Sequence, residues 1–402
     1  MDICLIKKQP QSTPSLRPTF IPGELIAEIL SFLPVKTITR FKCVSKYWNT
    51  FISDPKFVYK HLNKSSQKQH FILTWGHVNA YTLIPFPLHG SLEIPSITID
   101  GEDLHYLKGC YIVGSYNGLI CLYAKSFYMA HNVTYQDYSI YFWNPSTRKV
   151  SKKLGSFIYS TPIDQSYVHL NSFRFAFGFD DSTKTYKVVA FHVELEYNAS
   201  EVKVFTLGGS CWRNIQSFPV IPLNWVDSNG VHVSGTLNWL AIHKYFHPFY
   251  KDTYINRVEQ FVIISLDLSG ETYNMLLLPQ GFVEVPFTRP VLKVLMESLC
   301  FSYISKENEF VLWQMKDYAV QDSWTQLFKI SQRNLNMIYF DDGYQMVYLY
   351  KNDDIVIFAK GFGHHALVYN LRDKKIEKIK VYDGRVWSSQ VNVYIESLVA
   401  VG

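Results

Sequence analysis

The sequence predicts a small all-α bundle followed by a large all-β domain, a β-propeller of about six blades. Three observations carry this. Apolar residues recur at helical spacing between Phe20 and Leu62, and most of the remaining 402-residue chain falls into short aromatic and aliphatic runs parted by turn residues. A unit of strand, turn and strand then recurs six times, at intervals of roughly 47 to 70 residues.

The helical part comes first. Residues 1–18, "MDICLIKKQPQSTPSLRP", are polar and proline-bearing, and a flexible leader is expected there. A first helix follows Pro22, with Leu25, Ile26, Ile29, Leu30 and Leu33 at three- and four-residue spacing until Pro34 stops it. Further short helices are expected over Val35 to Phe41, through Val44, Tyr47, Trp48 and Phe51, and after the cap Ser53-Asp54-Pro55. A bundle of residues 19–63 is too small to bury all of Leu25, Ile29, Leu33, Val44, Trp48 and Ile52 by itself, so part of that apolar surface should meet a partner.

After a linker at 64–70, residues 71–402 read as strands. The repeated unit is visible in "YFWNPSTRKVSKKL" (141–154), "VKVFTLGGSCWRNI" (202–215), "ISLDLSGETYNMLLL" (264–278) and "LVYNLRDKKIEKIKV" (367–381). The segments 71–87 and 310–330 add two looser copies. Such a unit cannot cover both its faces alone, and stacking the copies radially into a closed propeller solves this, with residues 390–401 as the closing strand beside the first blade. A β-sandwich is the alternative. Trp143, Trp212, Trp239, Trp313 and Trp324 recur at related points of the repeat and read as packing between blades. Three long tyrosine-rich segments, 127–138, 159–170 and 245–254, have the make-up of protein-binding loops, which nominates Tyr128, Tyr135, Tyr159, Tyr167, Tyr245, Phe246, Phe249 and Tyr250 as a target-binding face.

Composition narrows the function. With 48% hydrophobic and 16% aromatic residues the chain has ample material for a core, and 39 basic against 34 acidic residues leave too small an excess to suggest a nucleic-acid partner. The six cysteines (Cys4, Cys43, Cys110, Cys121, Cys211 and Cys300) are widely spaced, which suits free thiols in a reducing compartment, cytosol or nucleus. No run approaches the ~20 apolar residues of a membrane span, so no membrane partner is expected. The N-x-S/T matches at Asn63, Asn132 and Asn198 read as chance.

No catalytic constellation emerges, and neither a cofactor nor a metal is expected. G-x-S-x-G, H-E-x-x-H and phosphate-cradling glycine motifs are missing from the sequence. His364 and His365 are neighbours, and strand neighbours point to opposite faces. The pairs Asp180-Asp181, Asp341-Asp342 and Asp353-Asp354 read as solvated turns.

The stretch "FIPGELIAEILSFLPVKTITRFKCVSKYWNTFISDPKF" resembles an F-box of the plant type. Pro22, Glu24, Leu25, Glu28, Ile29, Leu30, Leu33, Pro34, Val35, Lys36, Arg40, Phe41, Cys43, Val44, Lys46, Trp48 and the run Ile52-Ser53-Asp54-Pro55 match that pattern, while Ile21, Ser31-Phe32 and Thr37-Ile38 depart from it. The words "GSYNGLICL", "FWNPSTRK", "FGFDDSTKTYKVV" and "VSGTLNWLA" make the body similar to the F-box-associated, kelch-like β-propeller domain. This resemblance implies a non-catalytic, substrate-recognition subunit of a Skp–cullin–F-box ubiquitin ligase. Its partners would be a Skp-family adaptor, through it cullin and RING subunits, and a target protein. By motif position the adaptor contacts would be Ile21, Pro22, Leu25, Ile29, Leu30, Leu33, Pro34, Val35, Val44 and Trp48. A propeller lectin or hydrolase capped by the helices, or a scaffold that never directs ubiquitination, are the rival readings.

Overall fold

The computed structural model describes residues 21–65, 69–75, 81–85, 97–99, 110–162, 172–194, 199–223, 229–247, 249–295, 297–331, 344–349, 355–360, 365–370, 373–380 and 388–401. Four helices open it: α1 (Gly23–Ser31), α2 (Val35–Phe41), α3 (Lys46–Ser53) and α4 (Pro55–Ser65). Pro22 and Pro34 hold the extended backbone just before α1 and α2, and the Ser45 hydroxyl accepts a hydrogen bond from Trp48 N–H at the start of α3. α4 passes the expected end of the bundle at 63 by two residues. Glu28 on α1 reaches Lys60 and Lys64 on α4 at 2.5 and 3.4 Å, an exposed tie between the first and last helices.

Among the described residues the strands form six sheets. The first contains β1 (Gln69–Trp75), β2 (Tyr81–Pro85) and β3 (Ile97–Ile99), and the second β4 (Cys110–Tyr116), β5 (Leu119–Ala130), β6 (Val133–Asn144) and β7 (Lys149–Val150), with β8 (Leu154–Pro162) also on β6. The third holds β9 (Arg174–Asp180), β10 (Thr185–Glu194), β11 (Ala199–Thr206) and β12 (Arg213–Ile215); the fourth β13 (Val231–Val233), β14 (Thr236–Ile242), β15 (Phe261–Asp267) and β16 (Tyr273–Leu276). The fifth is β17 (Val291–Leu295), β18 (Ser298–Ile304), β19 (Glu309–Met315) and β20 (Trp324–Ser331); the sixth is β21 (Tyr344–Leu349), β22 (Ile355–Lys360), β23 (His365–Asn370) and β24 (Lys375–Lys380).

Each sheet is an antiparallel meander, and the leading strands β4, β9, β13 and β17 lie beside one another from sheet to sheet. The ring is closed by β25 (Ser388–Ile395), which pairs with β1 from Gln69↔Ile395 to Trp75↔Ser388 and stands between β21 and β4. The first blade therefore takes its inner strand from the C-terminal end of the chain. The recurring unit is the third and fourth strands of the later blades but the second and third strands of the first, so the 71–87 copy is one strand out of phase with the others. The closing segment is shorter than expected, because strand pairing ends at Ile395 and residues 396–401 leave the sheet.

Aromatic and aliphatic side chains fill the spaces between blades. Trp143 and Trp239 are fully buried, Trp324 is buried at 8% exposure, and Trp212 and Trp313 are partly buried against neighbouring clusters. Trp239 packs edge-on against Phe191 and Phe218 of the preceding blade. Charge also bridges the third and fourth blades: Lys187 on β10 lies 3.1 Å from Asp180 and 3.2 Å from Glu271, and Arg213 grips Glu271 from β12.

After β25 the chain crosses the second blade. The Asn144 side-chain amide donates to the carbonyls of Ser397 (3.0 Å) and Val399 (2.8 Å), and Val401 enters the aromatic core of the second and third blades. The turn beneath this crossing, Asn117-Gly118, has φ of 52° and 76°, as a two-residue hairpin requires. A Cβ at Gly118 would sit 2.5 Å from the Ile395 carbonyl oxygen, whereas at Gly208, φ 90°, it would meet nothing within 4 Å. Both glycine-to-alanine changes carry a left-handed-region cost of about 1–2 kcal/mol, and only Gly118→Ala adds a backbone clash. Gly118→Ala should therefore lower the urea midpoint clearly more than Gly208→Ala; equal shifts would contradict this account of the crossing.

Candidate functional site

The head divides its apolar residues between two faces. Leu30, Val35, Ile38, Ile52 and Phe57 form a closed core, and Ile26, Leu33, Phe41, Trp48, Phe51 and Val58 pack around it. Leu25 and Ile29 instead stand four residues apart on one side of α1 with 56% and 59% exposure, Ile21 just before the helix is 52% exposed, and Phe32 at its end is equally open. Val44 and Tyr47, around the start of α3, are a second exposed pair. Isolated exposed apolar residues are ordinary, but with Tyr59 on α4 there are seven large ones on this small bundle, the kind of surface that partners cover.

The motif-derived adaptor residues accordingly separate. Ile21, Pro22, Leu25, Ile29, Pro34 and Val44 are exposed, while Leu33 and Trp48 are partly buried, Trp48 stacked on Phe41 at 5.8 Å. Leu30 and Val35 do not belong to the open surface: at 6% and 0% exposure they are spent on the bundle's own core. Phe32 and Tyr47, which motif position does not nominate, share the open surface. Phe32 departs from the family pattern, yet its place three residues after Ile29 on the open row could have found it.

Strand direction sorts the propeller loops. β4, β6, β9, β13, β15 and β25 all end toward the helical head, as the contacts of the tail with α2 and the 144–146 turn show. Alternation then sends the β5–β6 tip, the end of β8 and the β14–β15 connection to the opposite face. These are the three tyrosine-rich segments. On them Tyr128 (48%), Phe246 (41%) and Phe249 (47%) are exposed, and Tyr135 lies flat against Tyr128 at 4.8 Å. Tyr245 is a correction: it is buried, and its hydroxyl donates to the Phe249 carbonyl and accepts from Lys251 N–H, so it shapes the loop from within. Tyr250 is half-buried, donating to the Pro286 carbonyl, and Tyr167 lies outside the described residues.

Under this face sits a buried polar layer. Lys125 donates to Ser172, Ser172 to Gln136 at 3.2 Å, and Tyr138 to Gln136 at 2.6 Å. Burial, with Arg174 nearby, brings the Lys125 ammonium down to about 8. Tyr159 packs on Phe173 and His192, its hydroxyl 3.4 Å from His192 Nε2, and burial raises it to about 12.

Among the described residues no cluster of three or more His, Cys, Asp or Glu could hold a metal ion. The side chains of His364 and His365, and the pairs Asp341-Asp342 and Asp353-Asp354, lie outside the described residues. Asp180 is not the solvated turn residue expected. It is 1% exposed; burial pushes its carboxyl up, but bonds from Ser182, Thr183 and Lys187 outweigh this and hold it well below the usual carboxylate range.

Two family models match the chain. One, the F-box domain, covers residues 20–60, and the other, the F-box associated beta propeller domain, covers residues 95–401. The F-box/kelch-repeat protein At3g23880 of Arabidopsis thaliana is 28% identical over 326 residues, 78% of this chain and 80% of that protein. The F-box protein CPR1 of the same plant is 25% identical over 395 residues, 90% of this chain and 85% of its own length.

Burial lowers His192 to about 4, with Glu201 opposing and Arg174 assisting, and lowers His232 to about 4 against its bond to the Phe179 backbone. Both start from 6.5, so the folded protein binds fewer protons than the unfolded chain below that pH. Their stabilising effect is complete above about pH 6.5 and is lost as pH falls toward 4, up to ~3 kcal/mol for each. Urea midpoints at pH 7.5, 6.0 and 5.0 should fall in that order, and the double variant His192→Gln, His232→Gln should show a flatter dependence; an unaltered slope would show that other groups set it.

Proposed function

Because the chain belongs to the plant F-box proteins that carry an F-box-associated β-propeller domain, a group whose general role is substrate recognition in Skp–cullin–F-box ligases, we propose that it docks on a Skp-family adaptor through its open α1 row and receives a target protein on the far face of the propeller. The observation that carries this reading is the division just described. Apolar side chains stay uncovered on the head, while Tyr128 near the tip of the β5–β6 hairpin and Phe246 and Phe249 on the β14–β15 connection are exposed at the end that strand polarity turns away from it.

Ile21, Pro22, Leu25, Ile29 and Val44 would enter apolar grooves of the adaptor, with Phe32 and Tyr47 widening the contact. Tyr128, Phe246 and Phe249 would meet the target, and Tyr135 would stiffen Tyr128 by stacking. The chain itself would make and break no bond. Its contribution would be proximity: a target held on the same assembly as the ubiquitin-carrying enzyme presents its lysines at a high effective concentration. Among the described residues Cys43, Cys121, Cys211 and Cys300 carry free thiols, which supports work in cytosol or nucleus.

Leu25→Asp and Ile29→Asp test the adaptor face. Both sites are more than half exposed, so the variants should keep wild-type melting behaviour while capture of a purified Skp adaptor falls by about tenfold or more, the ~1.4 kcal/mol or greater loss expected of anchor residues. Undiminished capture by both variants would reject the assigned face.

A further inference from the structure

Residues 396–401 connect the two parts of the molecule by contacts that the order of the chain does not foretell. Leu398 is 6% exposed, and what covers it is the head: it lies in the cluster of Leu30, Val35, Ile38, Ile52 and Phe57. On one side of it, the Glu396 carboxylate accepts from Val35 N–H at 3.4 Å, at the first turn of α2. On the other, Asn144 donates to the carbonyls of Ser397 and Val399, Ser397 N–H donates to Ser146 Oγ at 3.3 Å, and Val401 is set into the propeller core. The tail thus has one side chain in the head and its backbone fastened to the second blade.

We propose that residues 396–401 are a clasp that fixes the head at one angle on the propeller, with Leu398 as the positioning residue and Asn144 as its anchor. The head is joined to the propeller covalently only through the short stretch between α4 and β1. A body attached at one point can pivot; a second attachment, fastened independently, removes that freedom. Leu398 supplies the second attachment, because rotating the head would pull it from an apolar core into water. The clasp also exists only when the ring is closed, since it is the direct continuation of β25. An unclosed propeller would therefore leave the head core open where Leu398 belongs. The consequence for ubiquitin transfer rests on the proposed function: with adaptor and target on opposite sides of one rigid body, the gap that ubiquitin must bridge is constant.

The exposed thiols of Cys43 on the head and Cys211 on the propeller suit spin labelling, the other described cysteines being buried. In the full-length chain carrying Cys4→Ser, pulsed dipolar spectroscopy should give one narrow Cys43–Cys211 distance distribution. Leu398→Glu should broaden it at least twofold. Asn144→Asp keeps the oxygen that caps the 144–147 turn and removes the donor that holds the tail, so it should broaden the distribution while helical circular dichroism stays intact. Leu62→Ala removes a buried head side chain outside the cluster that holds Leu398 and should leave the distribution narrow. Unchanged width in Asn144→Asp, or equal broadening in Leu62→Ala, would overturn the clasp. The measurement needs no adaptor, so its outcome is independent of whether the α1 row docks as proposed.

Discussion

The pairing of β25 with β1 is the interaction on which the rest of the structure depends. A four-stranded sheet exposes apolar side chains on both faces and unpaired backbone at both edges, and a row of such sheets is stable only when the last meets the first. Here the meeting is made within one blade, by strands from opposite ends of the propeller sequence that pair in register from Gln69 to Thr74 and, after a shift, at Trp75. Closure brings Ile395 beside Gln69, four residues after the last turn of α4, and so delivers the tail to the base of the head. Ring, tail and head core are consequences of one ladder.

The same geometry makes the molecule two-sided. Antiparallel meanders send alternate turns to opposite faces, and the two sets differ here in character. Toward the head the connections are short and polar: Asn117-Gly118, Pro145 to Arg148 and Asp181 to Lys184, with Asp180 and Asn144 bonding their own turns. Away from the head the β14–β15 connection is long and carries tyrosine and phenylalanine, and the β5–β6 hairpin, whose turn is only His131-Asn132, carries Tyr128 and Tyr135 near its tip. Tight turns let the head and tail lie close to the sheet ends.

Much of this was legible in the sequence. Period-3.6 spacing marked α1, proline marked its limits, and the recurring hairpins marked six blades, because those features are local. What escaped was decided by distant neighbours. Leu25 and Ile29 lie on one row of α1 and Ile26 and Leu30 on the adjoining one, and spacing alone cannot say which row is covered within the chain; Leu398 closes the cluster that holds Leu30. Asp180 looked like a solvated turn because Lys187, which pairs with its charge, approaches from the neighbouring strand. Tyr245 looked like a binding residue because its composition matches one, yet its hydroxyl finds two backbone partners within its own loop.

A bundle of this size also faces a conflict that its position resolves. To bind an adaptor it must leave apolar side chains exposed, and to stay folded it must bury enough of the rest, which a domain of about 45 residues rarely manages alone. Enlarging its core with its own residues would consume the open row. Borrowing a leucine from the far end of the chain adds to the buried core without covering Leu25 or Ile29, and the loan is stable because the lender is anchored in a propeller with its own large aromatic core. A recognition surface on a very small domain is thus compatible with stability when a neighbouring domain completes the opposite side.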